Sequence, residues 1–209
     1  MDLYQGLLII TSIHLLAAAM PGPDFVLVSQ QTLSNGKRAG LLCSLGITLG
    51  LSVHVIYSSM GLAVVIANSS SALWAIKLLG GSYLIYLGIS GLRSKASTAG
   101  SIKMEPVAKR SVLKTIGMGF LCNALNPKAS IYFVALFTIV LSQDTPAQHL
   151  LIYGLWMMVL QLAWFAFLTL LLSRPTVTRK LHIMGHWIDR VAGGAMLLLG
   201  IKVMATRTS

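Results

Sequence analysis

Near the middle of one long apolar run the chain reads Asn123-Ala124-Leu125-Asn126-Pro127-Lys128, and near the middle of another it reads Pro21-Gly22-Pro23-Asp24. Each run is long enough to cross a bilayer. A proline inside a helix costs about 3 kcal/mol, and a charge at mid-span adds roughly 2.5–3.5 kcal/mol. Irregular backbone is tolerated at that depth only inside protein or beside a wet cavity. Paired broken spans are typical of the binding site of a secondary transporter.

The composition predicts an integral helical membrane protein. The 209 residues are 56% hydrophobic and 10% charged, with a mean hydropathy of +0.79, whereas soluble domains carry about 25% charged residues. The net charge of +11 does not indicate a nucleic-acid partner, because the basic residues lie in short loops, as the positive-inside rule requires. The N-terminal run follows Met1-Asp2, which provides no positive n-region, so we interpret it as a retained span and not a signal peptide.

Six segments approach the ~20 residues that a membrane-spanning helix needs. They are residues 5–33, 40–67, 72–92, 112–141, 148–172 and 183–204. The first and fourth are overlong and hold the interruptions, so each is predicted to be broken into two half-helices. Lys and Arg gather in the connections after the first, third and fifth segments. This alternation predicts a cytoplasmic position for those connections and places both termini outside.

The two halves of the chain are predicted to be related repeats. Each half opens with a broken span, and Gly81 and Gly88 in the third segment match Gly193 and Gly200 in the sixth. Because three spans is an odd number, the second copy must be inverted, which gives a 3+3 inverted repeat. The expected units are residues 1–92 and 112–209, joined by a cytoplasmic linker at 93–111. The glycine-rich third and sixth spans are also a candidate homodimer surface.

Polar side chains are predicted to meet at the membrane midplane. Four fall at similar depth: Asp24, His54, Lys128 and Gln161. Asn126 before Pro127 is a favourable N-cap and first-turn pair, and Pro23 can open the other half-helix. We predict that both half-helix N-termini face a central cavity, where they and Lys128 receive a carboxylate while Asp24 takes an ammonium group or a proton. The alternative is that Asp24 caps its own helix and pairs with Lys128 as a structural lock.

The histidines leave more than one interpretation open. His54 is either a hydrogen-bonded packing residue or part of a proton path, which its pKa range permits. His14 is interpreted as structural, and Gln161 as a hydrogen-bonding residue of the site. His182 and His186 are expected at a solvated cytoplasmic interface, so no metal site and no cofactor are predicted. Motifs of phosphate-binding loops, nucleophile elbows or zinc proteases are absent from the sequence, which does not favour an enzyme.

Taken together, the motifs resemble the lysine-exporter superfamily, and specifically its homoserine/threonine-resistance branch (LysE/RhtB). The resemblance covers nearly the whole chain and rests on Pro21-Gly22-Pro23, Gly36-Lys37-Arg38-Ala39-Gly40-Leu41, Leu45-Gly46, Gly50, Lys77, Gly80, Tyr83-Leu84, Leu87-Gly88, Gly119-Phe120, Asn123 and Asn126-Pro127-Lys128. It implies a bacterial inner-membrane exporter of amino acids that is driven by proton exchange.

The expected substrate is a neutral amino acid or derivative such as threonine, homoserine or leucine, because Asp24 is the single acid at the midplane. The expected substrate-binding residues are Pro21, Gly22, Pro23, Asp24, Asn123, Asn126, Pro127, Lys128 and Gln161, with Asp24 and His54 as the proton-coupling residues. Two alternatives come from the same superfamily: a thiol-redox relay through Cys43 and Cys122, and an exporter of divalent metal ions.

Overall fold

The computed structural model describes residues 2–68, 70–93, 111–140 and 145–174, and, towards the C-terminus, 187, 190–191, 193–202 and 204–205. Within these ranges every regular element is a helix. The helices are α1 (Leu3–Ala19), α2 (Pro23–Asn68), α3 (Ser70–Leu92), α4 (Val112–Ala124), α5 (Pro127–Val140), α6 (Ala147–Leu172) and α7 (Gly193–Lys202). Most of the predicted linker and the His182 and His186 pair lie outside the described residues.

Both predicted interruptions are present. The first break, residues 20–22, separates α1 from α2, and the second, Leu125 and Asn126, separates α4 from α5. The α4 and α5 axes differ by 57°. Side chains cap the N-terminal ends of both helices: Ser111 Oγ accepts from Lys114 N at the start of α4, away from the break, and Asn126 Oδ1 accepts from Lys128 N at the start of α5, within the break. The N-cap predicted at Asn126 is confirmed.

The connection predicted between the first two segments is a single-residue reversal. Gly36 has φ 82° and ψ 174°, a conformation that favours glycine, and helical backbone continues on both sides of it. A Cβ built on Gly40 would collide with Thr32 Oγ1, although eight residues of a straight helix span about 12 Å. The chain therefore folds back at Gly36, and α2 consists of a first arm, residues 23–35, and a second arm, residues 37–68.

Glycines set the closest helix contacts. On the second arm of α2, Gly46 and Gly50 lie against the α4 backbone, and Gly119 of α4 lies against the backbone of Cys43 and Ile47. Small residues such as these let helix backbones approach closely. Gly81 and Gly88 of α3 meet Gly200 and Gly193 of α7 in the same way. These four glycines occupy a contact within the chain, and a homodimer through the third and sixth spans stays a prediction.

The helices enclose two apolar clusters with the breaks beside them. The larger cluster joins α1, the second arm of α2, α3, α5, α6 and α7 around Tyr132, Phe133 and Tyr153. The smaller joins both arms of α2 to α6 around Val28, Ile47 and Phe165. By length and composition, the apolar stretch Pro23–Ser59 and the helix Ala147–Leu172 are candidate spans, and the bent pair α4 and α5 forms a third. Because the chain folds back at Gly36, the part of the first stretch that is long enough to cross a membrane is the second arm of α2. The chain is thus a helical membrane protein.

The α2–α4 contact provides a test of the packing. Gly119→Ala should lower the midpoint of thermal unfolding in detergent, because the new Cβ would press on backbone atoms that cannot turn away, and overpacking costs about 1–3 kcal/mol. Gly117→Ala is the matched control on the same helix, since nothing lies within 4 Å of its Cβ position. An equal midpoint for the two variants would contradict the close approach of α2 and α4.

Candidate substrate site at the two helix breaks

The two breaks open onto one cavity. It contains about 470 Å³ of atom-free space, its mouth included, and both breaks line it. Gly22, Asp24 and Phe25 come from the first break and the start of α2, and Asn126, Lys128 and Ala129 come from the second break and the start of α5. The N-terminal ends of both half-helices therefore face the same space, where the positive ends of their dipoles favour an anion.

Asp24 reaches across to the second break. Its Oδ2 accepts hydrogen bonds from Asn123 Nδ2 at 2.8 Å and from Asn126 Nδ2 at 3.3 Å. Its Oδ1 is buried and has no hydrogen-bond partner among the described residues, and the same holds for Asn123 Oδ1. Two buried acceptors thus lie on neighbouring side chains without a donor. Such an atom costs about 1–3 kcal/mol, so this pair is suited to bind a proton or an ammonium group.

Lys128 reaches the opposite way, to the first break. Its Nζ donates to Met20 O at 3.1 Å and to Ala17 O at 3.4 Å. These carbonyls belong to the C-terminal end of α1, where a helix lacks internal partners and favours a cation. A Cβ on Gly22 would lie 3.3 Å from Lys128 Nζ, so glycine leaves room for the ammonium group. The charged residue of each break therefore binds polar groups of the other break.

Gln161 and His14 line the deeper part of the same cavity. Gln161 is buried on α6 and lies near the His14 ring. His14 Nδ1 is hydrogen-bonded to Tyr132 OH at 3.3 Å, and its Nε2 has no partner that meets hydrogen-bond geometry. His14 was interpreted from the sequence as structural, and Tyr132 was not considered. Helical spacing could have indicated both, because His14 shares a face with Ala17 and Ala18, and Tyr132 follows Lys128 by one turn.

His54 lies behind the cavity and not on its wall. Its ring is fully buried and stacks on Phe133 at 5.6 Å. Nε2 lies 2.8 Å from Asn123 O, and Nδ1 lies 3.0 Å from Tyr57 OH. A carbonyl only accepts, so Nε2 carries the hydrogen, and a neutral ring satisfies both contacts by accepting from Tyr57 at Nδ1. His54 thereby holds the backbone at Asn123, and its proton-coupling role stays a prediction.

The remaining predicted positions take supporting places. Pro23 and Pro127 are the first residues of α2 and α5, where a missing N–H has no consequence. Pro21 lies in the first break. Cys43 is fully buried, Cys122 is partly buried, and both are free thiols. Cys122 precedes Asn123 and lies near Asp24.

The chain is similar to known proteins over most of its length. Residues 15–207 match the model of the LysE type translocator family. The chain is 31% identical over 209 residues to the threonine efflux protein of Escherichia coli K12, covering 96% of this chain and 98% of the relative. It is 33% identical over 190 residues to an uncharacterized membrane protein of Haemophilus influenzae, covering 90% of each. The threonine efflux protein of Salmonella typhi is 31% identical over 205 residues, with 95% and 97% covered. No solved structure matches the chain.

Proposed function

Because the chain belongs to the LysE type translocator family, we propose that it exports a neutral amino acid from the cytoplasm in exchange for protons. Threonine, homoserine, leucine or a close derivative is the proposed substrate, and threonine has the added support of two relatives described as threonine efflux proteins. The observation that carries the proposal is the shared cavity, which holds a carboxylate, an ammonium group and two helix N-termini. A zwitterion complements each of these groups.

The substrate carboxylate binds between the two half-helix N-termini. The positive ends of the α2 and α5 helix dipoles favour the negative charge. Lys128 lines the cavity beside them and adds a charge-assisted hydrogen bond. The proposed contacts are Gly22 and Pro23 at the first break and Asn126, Pro127 and Lys128 at the second.

Asp24 couples export to protons. A proton on its Oδ1 and a substrate ammonium group would both supply the donor that this buried oxygen lacks. They therefore compete for one atom, and such competition is what exchange requires: protonation of Asp24 releases the amine, and amine binding displaces the proton. Asn123 and Asn126 hold the carboxylate in place through Oδ2 in both states.

The proposed setting is the bacterial inner membrane, with six spans in a 3+3 inverted repeat and both termini outside. Support comes from the basic connections, from the two breaks, and from the glycine contacts that recur between α2 and α4 and between α3 and α7. One repeat rocking against the other would expose the cavity first to one side and then to the other.

A counterflow screen tests the proposed function. Proteoliposomes loaded with single amino acids should accumulate labelled substrate for at least one neutral amino acid, and a pH gradient should change net transport of that substrate. Accumulation of lysine or arginine alone would contradict the neutral-substrate proposal. Accumulation of a divalent metal ion in place of any amino acid would favour the metal-exporter alternative.

The thiol-relay alternative makes an opposite prediction. Cys43→Ser with Cys122→Ser should leave amino-acid transport at the wild-type level, because neither thiol lines the cavity. A serine at these positions can donate to the carbonyl four residues earlier, as Ser44 does to Gly40 O. The measurement is counterflow of the substrate found in the screen. Complete loss of activity in a well-folded double variant would favour a redox relay, which needs two thiols that exchange electrons.

A further inference from the structure

At the deeper end of the cavity lies the His14 imidazole, which the proposed contacts to the substrate's carboxylate and ammonium groups leave unused. His14 is 3% exposed and lines the cavity. Its Nδ1 is engaged by Tyr132 OH, while Nε2 is buried and without a hydrogen-bond partner among the described residues. The rings of Tyr132 and Phe133 hold the imidazole, each with its centroid 6.1 Å away. The orientation of this nitrogen is therefore fixed by packing as well as by the hydrogen bond.

His14 and Tyr132 lie about one helical turn from the proposed site of the substrate's carboxylate and ammonium groups. Tyr132 follows Lys128 by one turn of α5, or about 6 Å along the helix axis. His14 precedes Ala17, whose carbonyl binds Lys128 Nζ, by a little less than one turn of α1. A substrate held at the two breaks would direct its side chain along these helices towards His14, Tyr132 and Gln161. The spacing suits a polar atom on a short side chain.

We propose that His14, oriented by Tyr132 and accompanied by Gln161, forms a subsite that recognises a hydroxyl group on the substrate side chain. If Nδ1 accepts from Tyr132, then Nε2 is a donor; if Nδ1 donates, then Nε2 is an acceptor. A hydroxyl group satisfies either tautomer because it both donates and accepts. An aliphatic side chain satisfies neither and leaves the buried nitrogen without a partner. The subsite thus selects hydroxy amino acids over aliphatic ones of equal size.

This inference rests on the proposed export of neutral amino acids. A pair of isosteric substrates tests the subsite separately from the export function. Threonine and valine differ only by a hydroxyl in place of a methyl group. In proteoliposomes that offer both, the wild-type chain should transport threonine with a kcat/KM at least about 10-fold above that of valine, because a site built for a hydroxyl rejects the analogue that lacks it. His14→Phe should bring this ratio close to one, chiefly through a higher KM for threonine.

Two further variants distinguish a loss of hydroxyl recognition from a folding defect. Tyr132→Phe keeps the aromatic packing and removes only the hydroxyl that orients Nδ1, so it should lower the threonine-to-valine ratio with little loss of valine transport. His149→Phe is the matched control, since His149 lies at the start of α6, packs on Tyr153 and is not part of the cavity wall. Its ratio should equal that of the wild type.

The outcomes distinguish the subsite from the proposed function. Transport of both amino acids with a ratio that His14→Phe and Tyr132→Phe leave unchanged would overturn the subsite and leave the exporter standing. Loss of the pH-gradient effect in His14→Phe at an unchanged ratio would also overturn the subsite, because it would make His14 a proton carrier. Absence of transport of any amino acid by the wild-type chain would overturn both.

Discussion

Asp24→Asn should reduce transport driven by a pH gradient by a factor of roughly 30 to several thousand, the range that corresponds to the 2–5 kcal/mol typical of a removed buried charge partner. The substitution keeps the size of the side chain and an oxygen that can accept from Asn123 or Asn126. It removes the group that titrates and the charge that attracts an ammonium ion. Insertion into the membrane should therefore be nearly normal, and proteoliposome transport with and without a pH gradient measures the loss.

Asp2→Asn is the matched control for this variant. Asp2 caps α1 by accepting from Gln5 N at 2.7 Å, in an exposed position away from the cavity, and asparagine is an equally good N-cap. Its transport should equal that of the wild type. Asp24→Glu retains a carboxylate and should keep part of the pH-driven activity. Normal pH-driven export by Asp24→Asn would show that Asp24 is a helix cap and part of a structural lock.

Lys128→Met should raise the KM for the exported amino acid by roughly 10- to 150-fold, which corresponds to the 1.5–3 kcal/mol of a charged hydrogen bond. Methionine preserves the unbranched stem of lysine and removes the ammonium group from the cavity. The carbonyls of Ala17 and Met20 also lose a donor, so a modest fall in thermal stability is expected as well. Initial rates of counterflow at several substrate concentrations give the KM.

The structural-lock alternative predicts a loss of stability without a loss of substrate affinity. If Lys128 only ties α5 to the end of α1, Lys128→Met should lower the unfolding midpoint while the KM stays at the wild-type value. Lys128→Arg keeps the charge and should retain most of the affinity under the substrate-site proposal. Lys114→Met is the control for the loss of a lysine, because Lys114 is exposed in the first turn of α4 and away from the cavity.

The backbone architecture around the site follows from local sequence. Proline and asparagine restrict conformation within a few residues, so both breaks and the cap at Asn126 were predictable from spacing alone. The sequence predicted a connection around Gly36 but made it several residues long. The helical pattern on both sides does not reveal a turn that a single residue makes. The contact between α3 and α7 within the chain was not predicted, since a glycine stripe predicts a close partner and does not say whether that partner is in the same chain.

The side-chain partners in the site depend on tertiary packing and could not be predicted in the same way. The sequence placed Asp24 and Lys128 at one depth, which permits a direct ion pair, but not the crossed hydrogen bonds in which each binds the opposite break. It also grouped His54 with the cavity, although Asn123 stands between them. His14 was missed because a single histidine in an apolar helix resembles a packing residue until the cavity beside it is known.

Thiol labelling of the cavity tests most directly whether the two breaks share one solvent-accessible chamber. In the chain that lacks both native cysteines, Ala18→Cys on α1 and Ala129→Cys on α5 each place a thiol on the cavity wall. A water-soluble, membrane-impermeant methanethiosulfonate reagent should label both thiols, and the transported amino acid should slow both reactions. Labelling no faster than that of Leu155→Cys, which is exposed on α6 outside the cavity, would contradict a common chamber and with it the export mechanism.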